Sequence, residues 1–380
     1  STGVKLEEDL DCVFLDADKD GDPDLLVTGG DVQFEEGSPY YRPRLYMNDG
    51  KGNFSLNPNA IPAGVETIAG CVATSDFDGD GDMDVFIGGR VSRQYPRSPR
   101  SFLLQNNNGL FKDVTESFCP ALVNPGMVTS AVWVDIDNDQ TKELVIAGEW
   151  MPVRIFKNST GKLTEVTEKS GLSLSNGMWR SLAAADIDMD GDMDLVAGNQ
   201  GLNTEYKATE KEPMELWAAD IDNNGTIDPV MFYYIKDRAT KKQLYPSISR
   251  GTLATQVPAI KKRFLLNSDY GTATARDIFK GVSKEKIIRS VCYETRTCLF
   301  ENTGNGIFVK RVLPMEAQFA PVNAIICEDL DADGYTDLLL AGNEYQTEVM
   351  AGRQDASYGL FLKGNGQKSF LPQYYRCRQL

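Results

Sequence analysis

The sequence predicts an all-β protein built as a β-propeller, on three observations. A nine-residue aspartate loop recurs six times, and each loop lies between two short apolar runs. An Asn/Gly hairpin then follows most of these units. Four short strands per repeat of about 40 to 60 residues is the pattern of a propeller blade.

The loops come first in the argument because they set the repeat. DADKDGDPD runs from Asp16 to Asp24, DFDGDGDMD from Asp76 to Asp84, and DIDNDQTKE from Asp135 to Glu143. DIDMDGDMD spans Asp186 to Asp194, DIDNNGTID spans Asp220 to Asp228, and DLDADGYTD spans Asp329 to Asp337. The run entering each loop is CVFL, CVAT, AVWV, LAAA, LWAA or AIIC. The run leaving it is LLVTGG, VFIGG, LVIAGE, LVAGN, PVMFYY or LLLAGN. Short apolar runs bounded by turn residues read as strands with both faces covered. The second hairpins are LYMNDGKGNFSL, FLLQNNNGLFKDV, VRIFKNSTGKLTEV, CLFENTGNGIFVK and GLFLKGNGQKSF. Their Asn and Gly residues supply the positive φ of tight turns.

The chain reads as a single propeller domain over 1–380, with two breaks in rhythm. The loop at Asp220 follows the one at Asp186 by only 34 residues, and the pair could share a blade. The stretch 237–290 has no aspartate loop, and LATQVPAIKKRFLL carries helical spacing. It reads as a partly helical insertion within the fifth unit, either a functional loop or a cap.

Each loop is expected to hold calcium. Calcium takes six to eight hard oxygen ligands at about 2.3–2.6 Å, whereas magnesium demands a strict octahedron and keeps its waters. Positions one, three and five offer Asp16, Asp18 and Asp20 in the first loop and Asp76, Asp78 and Asp80 in the second. The same positions offer Asp135, Asp137 and Asp139, then Asp186, Asp188 and Asp190. The fifth loop has Asp220, Asp222 and Asn224, and the sixth has Asp329, Asp331 and Asp333. Position seven, which offers a backbone carbonyl, is Asp22, Asp82, Thr141, Asp192, Thr226 or Tyr335. Position nine adds a carboxylate from Asp24, Asp84, Glu143, Asp194, Asp228 or Asp337. Position six is glycine except at Gln140 in the third loop, so that loop is expected to bind most weakly. Close to half of the acidic residues lie in these loops, and six divalent ions would take the net charge from −16 to −4. The alternative reading, Asx-turns in hairpin corners, explains one such loop more readily than six.

The loops with their LLVTGG, VFIGG and LLLAGN flanks resemble FG-GAP/VCBS repeats, as in integrin α-subunit propellers. Longer phrases, among them CVATSDFDGDGDMDVFIGGRV, GNQGLNTEYKATEKEP and APVNAIICEDLDADGYTDLLLAGNEY, resemble large VCBS-repeat surface proteins of Bacteroidota related to cartilage acidic protein. The resemblance implies a seven-bladed propeller, with calcium in the blade-edge loops and one blade lying before the segment given. A six-bladed ring is the alternative. It also implies a cell-surface role in nutrient capture, within an outer-membrane complex that holds a TonB-dependent transporter.

Composition narrows the function. A net charge of −16 argues against nucleic acid, whose phosphates need Lys and Arg. The chain has no histidine, which removes the commonest general base and zinc ligand. No apolar run approaches a membrane span. Leu6, Glu7, Glu8 and Asp9 are too polar for a signal peptide, so a targeting segment is expected to have been removed or to lie outside the piece given. Seven cysteines cannot all pair with one another, and the spacing of Cys292 and Cys298 fits a local disulfide and free thiols equally.

The expected function is therefore an extracellular module that binds a protein or glycan ligand, with no catalytic residues. Candidate contact residues are Tyr40, Tyr41 and Arg42, Arg93, Tyr95 and Arg97, and Met178, Trp179 and Arg180. The competing reading is a polysaccharide lyase or glycoside hydrolase, for which Glu149 with Trp150 and Glu344 with Tyr345 would supply acid and stacking groups. No nucleophile elbow, phosphate loop or paired-cysteine zinc site accompanies them.

Overall fold

The computed structural model describes residues 7–159, 162–236, 242–347 and 352–373. Cys377, the ends of the 1–380 domain, and 237–241 at the start of the expected insertion lie outside these.

Strands β1 (Asp9–Leu15), β2 (Asp24–Gly29), β3 (Arg44–Asn48) and β4 (Phe54–Asn57) form an antiparallel meander, sheet I. Sheet II repeats it with β5 (Ala69–Ser75), β6 (Asp84–Gly89), β7 (Phe102–Asn107) and β8 (Leu110–Asp113). Sheet III does so with β9 (Met127–Val134), β10 (Glu143–Met151), β11 (Arg154–Ser159) and β12 (Lys162–Glu165), and the two-residue β13 (Gly177–Met178) pairs with the end of β10. In each sheet the aspartate loop joins the first strand to the second.

Sheet IV departs from the expected sequence of units. It opens with β14 (Ser181–Ala185) and β15 (Asp194–Gly198), and the chain then leaves it. A separate sheet follows, built from β16 (Met214–Ala219), β17 (Asp228–Lys236), β18 (Lys242–Pro246) and β19 (Ile288–Cys292) in the order β18-β17-β16-β19. Only then do β20 (Cys298–Asn302) and β21 (Phe308–Val312) return to complete sheet IV, with Leu195 opposite Phe300. The Asp186 and Asp220 loops thus lie in different sheets, the second nested inside the first. The Cys298 hairpin belongs to the Asp186 unit, not to the Asp220 unit that it follows. Sheet V closes the order with β22 (Ala324–Glu328), β23 (Asp337–Ala341), β24 (Leu360–Gly364) and β25 (Phe370–Gln373).

Short helices at Arg250–Gln256, Ile260–Arg263, Asn267–Tyr270 and Ala275–Ile278 lie between β18 and β19. Leu253, Val257, Ile260 and Ile278 pack with Val230 and Phe232 of β17, so the helices cover one face of the inserted sheet.

The first strands stand side by side in the order β1, β5, β9, β14, β22, so sheets I to V form a row. One apolar cluster fills each junction: I on II, II on III, III on IV, and IV on V. Within β6, Val85 and Ile87 face sheet I while Phe86 faces sheet III, all fully buried. Burial on both faces is why these strands read as continuous apolar runs instead of alternating ones.

A repeated hydrogen bond marks the same order. Asn106 Nδ2 of sheet II donates to the Ala17 carbonyl in sheet I at 2.9 Å. Asn158 of sheet III donates to Phe77 in sheet II at 2.7 Å, and Asn302 of sheet IV to Ile136 in sheet III at 2.8 Å. In sheet V a glycine takes the place of this asparagine, and Thr336 Oγ1 reaches the Asp186 carbonyl instead, at 3.0 Å.

Among the described residues no apolar cluster joins sheet V to sheet I. The far face of sheet I carries the rung Phe14, Leu25, Tyr46 and Leu56, with Phe14 60% exposed. The far face of sheet V carries Ile326, Leu339 and Phe361, with Ile326 47% exposed. Neither the seven-bladed nor the six-bladed ring is completed within the described residues. They hold six sheets built on four antiparallel strands, the third with the added two-residue β13, and five of the six stand in the row.

Cys292 and Cys298 are both buried free thiols. Each donates to a backbone carbonyl, of Glu294 and Arg296 respectively, so neither is held in the local disulfide considered above.

Candidate metal centres and cleft

All six loops fold alike. The amide of position six donates to the position-one carboxylate, as Gly21 to Asp16 at 3.1 Å and Gly334 to Asp329 at 2.8 Å. The amide of position seven donates to the side chain at position five, as Asp82 to Asp80 and Thr226 to Asn224. These bonds curl the chain around a centre lined by oxygen. Position six is left-handed even at Gln140 (φ 69°), where the side chain adds strain of about 1–2 kcal/mol. Position four is left-handed too, including at Met189 and Ala332.

Position nine does more than its expected job as a ligand. Asp84 Oδ2 takes the Phe77 amide at 3.2 Å and Oδ1 takes the Asn106 amide at 2.7 Å, which ties the loop to the third strand. Asp24, Asp194 and Asp337 repeat this double tie. Glu143 reaches the Ile136 amide at 3.1 Å with its longer side chain, so the third loop keeps the first half of the motif.

The carboxylates converge. One oxygen from each of Asp16, Asp18 and Asp24 lies within 4.8 Å of the others. The same holds for Asp76, Asp78 and Asp84, for Asp135, Asp137 and Glu143, for Asp186, Asp188 and Asp190, and for Asp220, Asp222 and Asp228. Position-seven side chains stand outside these five groups. Asp82 pairs with Lys19 of the preceding loop, and Asp192 takes the Asn138 amide at 2.7 Å.

These clusters fit a hard cation. Buried oxygens of Asp16, Asp18, Asp137, Glu143, Asp186, Asp188 and Asp222 have no hydrogen-bond partner. A buried carboxylate oxygen without a donor is costly, and a cation removes that cost. Without one, burial pushes Asp84 up to about 7, with Asp78 and Asp80 adding to it, and Asp194 behaves alike beside Asp188 and Asp190. Burial likewise pushes Glu143 up to about 7. The all-oxygen donor set is that of calcium.

Three loops carry a lysine on their candidate ligand carboxylates, the fourth through Lys368 of the hairpin between β24 and β25, which contacts Asp188. Lys157 on β11 contacts Asp137 and Asp139, and Lys363 at the matching place on β24 contacts Asp331 and Asp333. Gln105 takes this place in sheet II. The loop motif alone does not reveal the lysines, because Lys157 and Lys363 lie on the third strand and Lys368 reaches the fourth loop from the neighbouring sheet. The residue before the strand-three asparagine was the available signal.

A second feature lies between the inserted sheet and the row, a cleft of about 560 Å³. Met127 and Trp150 of sheet III pack with Met214, Leu216 and Cys292 of the inserted sheet at its base. Tyr95, Trp150, Met178, Arg180 and Glu344, all singled out from sequence, meet there. The Tyr95 hydroxyl accepts from the Trp150 indole at 3.1 Å, and Trp150 holds a left-handed backbone (φ 62°). Arg180 binds Glu344 at 3.1 Å and Gln200 at 2.9 Å, and Arg90 binds Glu149 at 3.1 Å. Burial acts upward on Glu344, but the Gln346 amide and Arg180 outweigh it and hold the carboxyl below its usual range.

Other sequence candidates fall elsewhere. Trp179 is fully buried against Phe300, and Tyr41 is buried with its hydroxyl bonded to Phe34, so both are core residues and not contact residues. Arg93 pairs with Glu35, Arg97 with Gln94, and Arg42 with Glu66. Tyr345 is 59% exposed and does not line the cleft.

Residues 12–87 and 135–197 match the FG-GAP-like repeat. The chain carries FG-GAP-like repeats. The matched stretches run from β1 to β6 and from the third loop to β15. No curated protein matches the chain. Among the solved structures that match is the crystal structure of the V. cholerae biofilm matrix protein Bap1, at 11% identity and a TM-score of 0.29, over 97% of this chain and 81% of that one.

Proposed function

We propose that the chain is a calcium-stabilised extracellular binding module, in which FG-GAP-like loops pin a row of sheets that presents a cleft to a protein or glycan ligand. The observation that carries the reading is the set of partnerless buried carboxylate oxygens at the loop centres. Extracellular calcium modules bind at about 10⁻⁴–10⁻³ M, a concentration met outside the cell and not in the cytosol. Calcium here is structural: it neutralises the loops so that position nine can hold the third strand. The first, second and fifth loops are the stronger sites, and the lysines at the third, fourth and sixth compete with metal.

The cleft supports binding over catalysis. Glu149 and Glu344 are each engaged by an arginine, and Glu344 is held ionised, the opposite of what a general acid needs. The resemblance of the loops and their flanks supports a place beside a TonB-dependent transporter at the outer membrane, with no nucleic-acid partner. The test is thermal melting with excess EDTA against added CaCl₂, paired with incubation on polysaccharides. A large calcium-dependent rise in melting temperature without release of sugar ends is expected. A melt indifferent to EDTA, or new reducing ends, overturns the reading.

A further inference from the structure

We propose that the helical layer over the inserted sheet docks the chain on a bilayer surface bearing anionic headgroups, with the Leu265–Leu266 turn entering the apolar boundary. This surface is distinct from the cleft, and its occupant does not depend on what the cleft binds.

The topology sets the helical layer outermost. On β17, Met231 and Tyr233 face the row while Val230 and Phe232 face the helices, so the inserted sheet separates the two. The helical segment turns Leu253, Val257, Ile260, Phe264 and Ile278 inward, against that sheet. What remains outward is the other side of each short helix, and that side is basic.

Positive charge is concentrated there. Residues 250–286 hold eight Lys and Arg against three Asp and Glu, a net of +5. The whole chain carries −16, so the remainder carries −21. Lys261, Lys262, Arg276, Lys284 and Lys286 are exposed, and among the described residues none of them forms an ion pair. On the sheets, by contrast, Arg100 is paired with Asp113 and Arg154 with Glu165. An anionic surface repels this acidic body but attracts its one basic layer, which fixes the direction of approach.

The apolar part sits inside the basic one. Leu265 is 74% exposed and Leu266 62%, directly after Lys261, Lys262 and Arg263. The turn that presents them is held firmly. Arg250 donates to the Phe264 carbonyl at 2.7 Å, to the Leu265 carbonyl at 3.1 Å and to Asn267 at 3.3 Å. The Leu266 amide donates to Asp269 at 3.0 Å, and Phe264 and Tyr270 anchor the turn in the core on either side. Arg263 donates to the Ile278 carbonyl, which brings the Lys280 end of the last helix beside it.

The leucines decide among anionic partners. A dissolved polyanion, such as a nucleic acid or an acidic polysaccharide, pairs with lysines but offers no apolar phase. A bilayer offers both, headgroup charge to the lysines and hydrocarbon to the leucines. No described helix is long and apolar enough to cross a membrane, so the contact is made at the surface.

The experiment floats the whole chain, in calcium buffer, with vesicles of phosphatidylcholine alone or with about a third phosphatidylglycerol, and takes Kd from the bound fraction. We expect binding to the anionic vesicles only, weakened about tenfold or more at about 0.5 M NaCl. Lys261→Glu with Lys262→Glu, and separately Leu265→Ser with Leu266→Ser, should each weaken it about tenfold or more while melting as the parent does. Lys51→Glu with Lys112→Glu makes the same charge change in sheets I and II and should leave Kd within about twofold. Should the serine pair fail to fold, Leu266→Trp serves in its place: its emission should shift to the blue with anionic vesicles and not with polygalacturonate. No binding to the anionic vesicles, an equal loss in the Lys51 and Lys112 pair, or leucine variants that bind as the parent does overturns the proposal. Polygalacturonate bound as tightly as the vesicles and indifferent to the leucines also overturns it, in favour of a polyanion. The binding-module reading fails separately, on the EDTA melt.

Discussion

Asn106→Ala removes the tie between sheets I and II and measures what holds the row together. The side chain is 1% exposed. Its Nδ2 donates to the Ala17 carbonyl at 2.9 Å, and its Oδ1 accepts from the Gly109 amide at 2.9 Å. Truncation leaves a buried acceptor and a buried donor unmatched, at about 1–3 kcal/mol each, so the loss should be about 2–5 kcal/mol. Asn48 holds the same strand position in sheet I, and among the described residues no sheet precedes it. There Nδ2 meets only the Pro23 carbonyl of its own sheet at 3.1 Å, facing solvent. Water replaces that bond, and Asn48→Ala should cost less than about 1 kcal/mol. Urea unfolding of both variants in saturating calcium measures the difference. Equal losses would refute the claim that this asparagine acts across the sheet junction.

Further outcomes follow from the same geometry. Asp16→Ala should lower the calcium-dependent gain in melting temperature more than Asp139→Ala, because Lys157 already neutralises the third loop; calorimetric calcium titration of each variant checks the order. Lys363→Met should strengthen calcium binding at the sixth loop by freeing Asp331 and Asp333, and unchanged binding there would contradict the lysine's competing role. In EDTA, the raised values of Asp84, Asp194 and Glu143 make stability greatest below about pH 4 for these groups and progressively lost as the pH rises through about 7. Calcium should abolish that decline, and melting curves across the range with and without metal test it. Phe86→Ala should cost about 3–5 kcal/mol, and Phe14→Ala on the open face of sheet I much less.

The strands and loops were legible because their chemistry is local. Apolar runs such as VFIGG need cover on both sides, and DxDxDG fixes a turn within nine residues. The nesting of the Asp220 sheet inside sheet IV was not legible, because it depends on β15 choosing β20 over the next strand in sequence, and both are apolar. The 34-residue spacing marked the place without giving the topology. Among site residues, positions one, three and nine converge in the first, second, third and fifth loops, and positions one, three and five in the fourth. Lys157 and Lys363 were missed because they reach the loops from another strand. Trp179 and Tyr41 were misread because an aromatic beside a loop has the same sequence signature whether it turns outward or into the core. Tyr95, Trp150, Arg180 and Glu344 were each visible singly, but their meeting depends on the inserted sheet.

The central claim is that hard cations sit among the loop carboxylates and neutralise them. Anomalous scattering from crystals grown in calcium tests it most directly. The account predicts peaks about 2.3–2.6 Å from oxygens of Asp16, Asp76 and Asp220, with weaker or no peaks beside Lys157, Lys363 and Lys368. Intact loops with no peak at any of the six centres would contradict it.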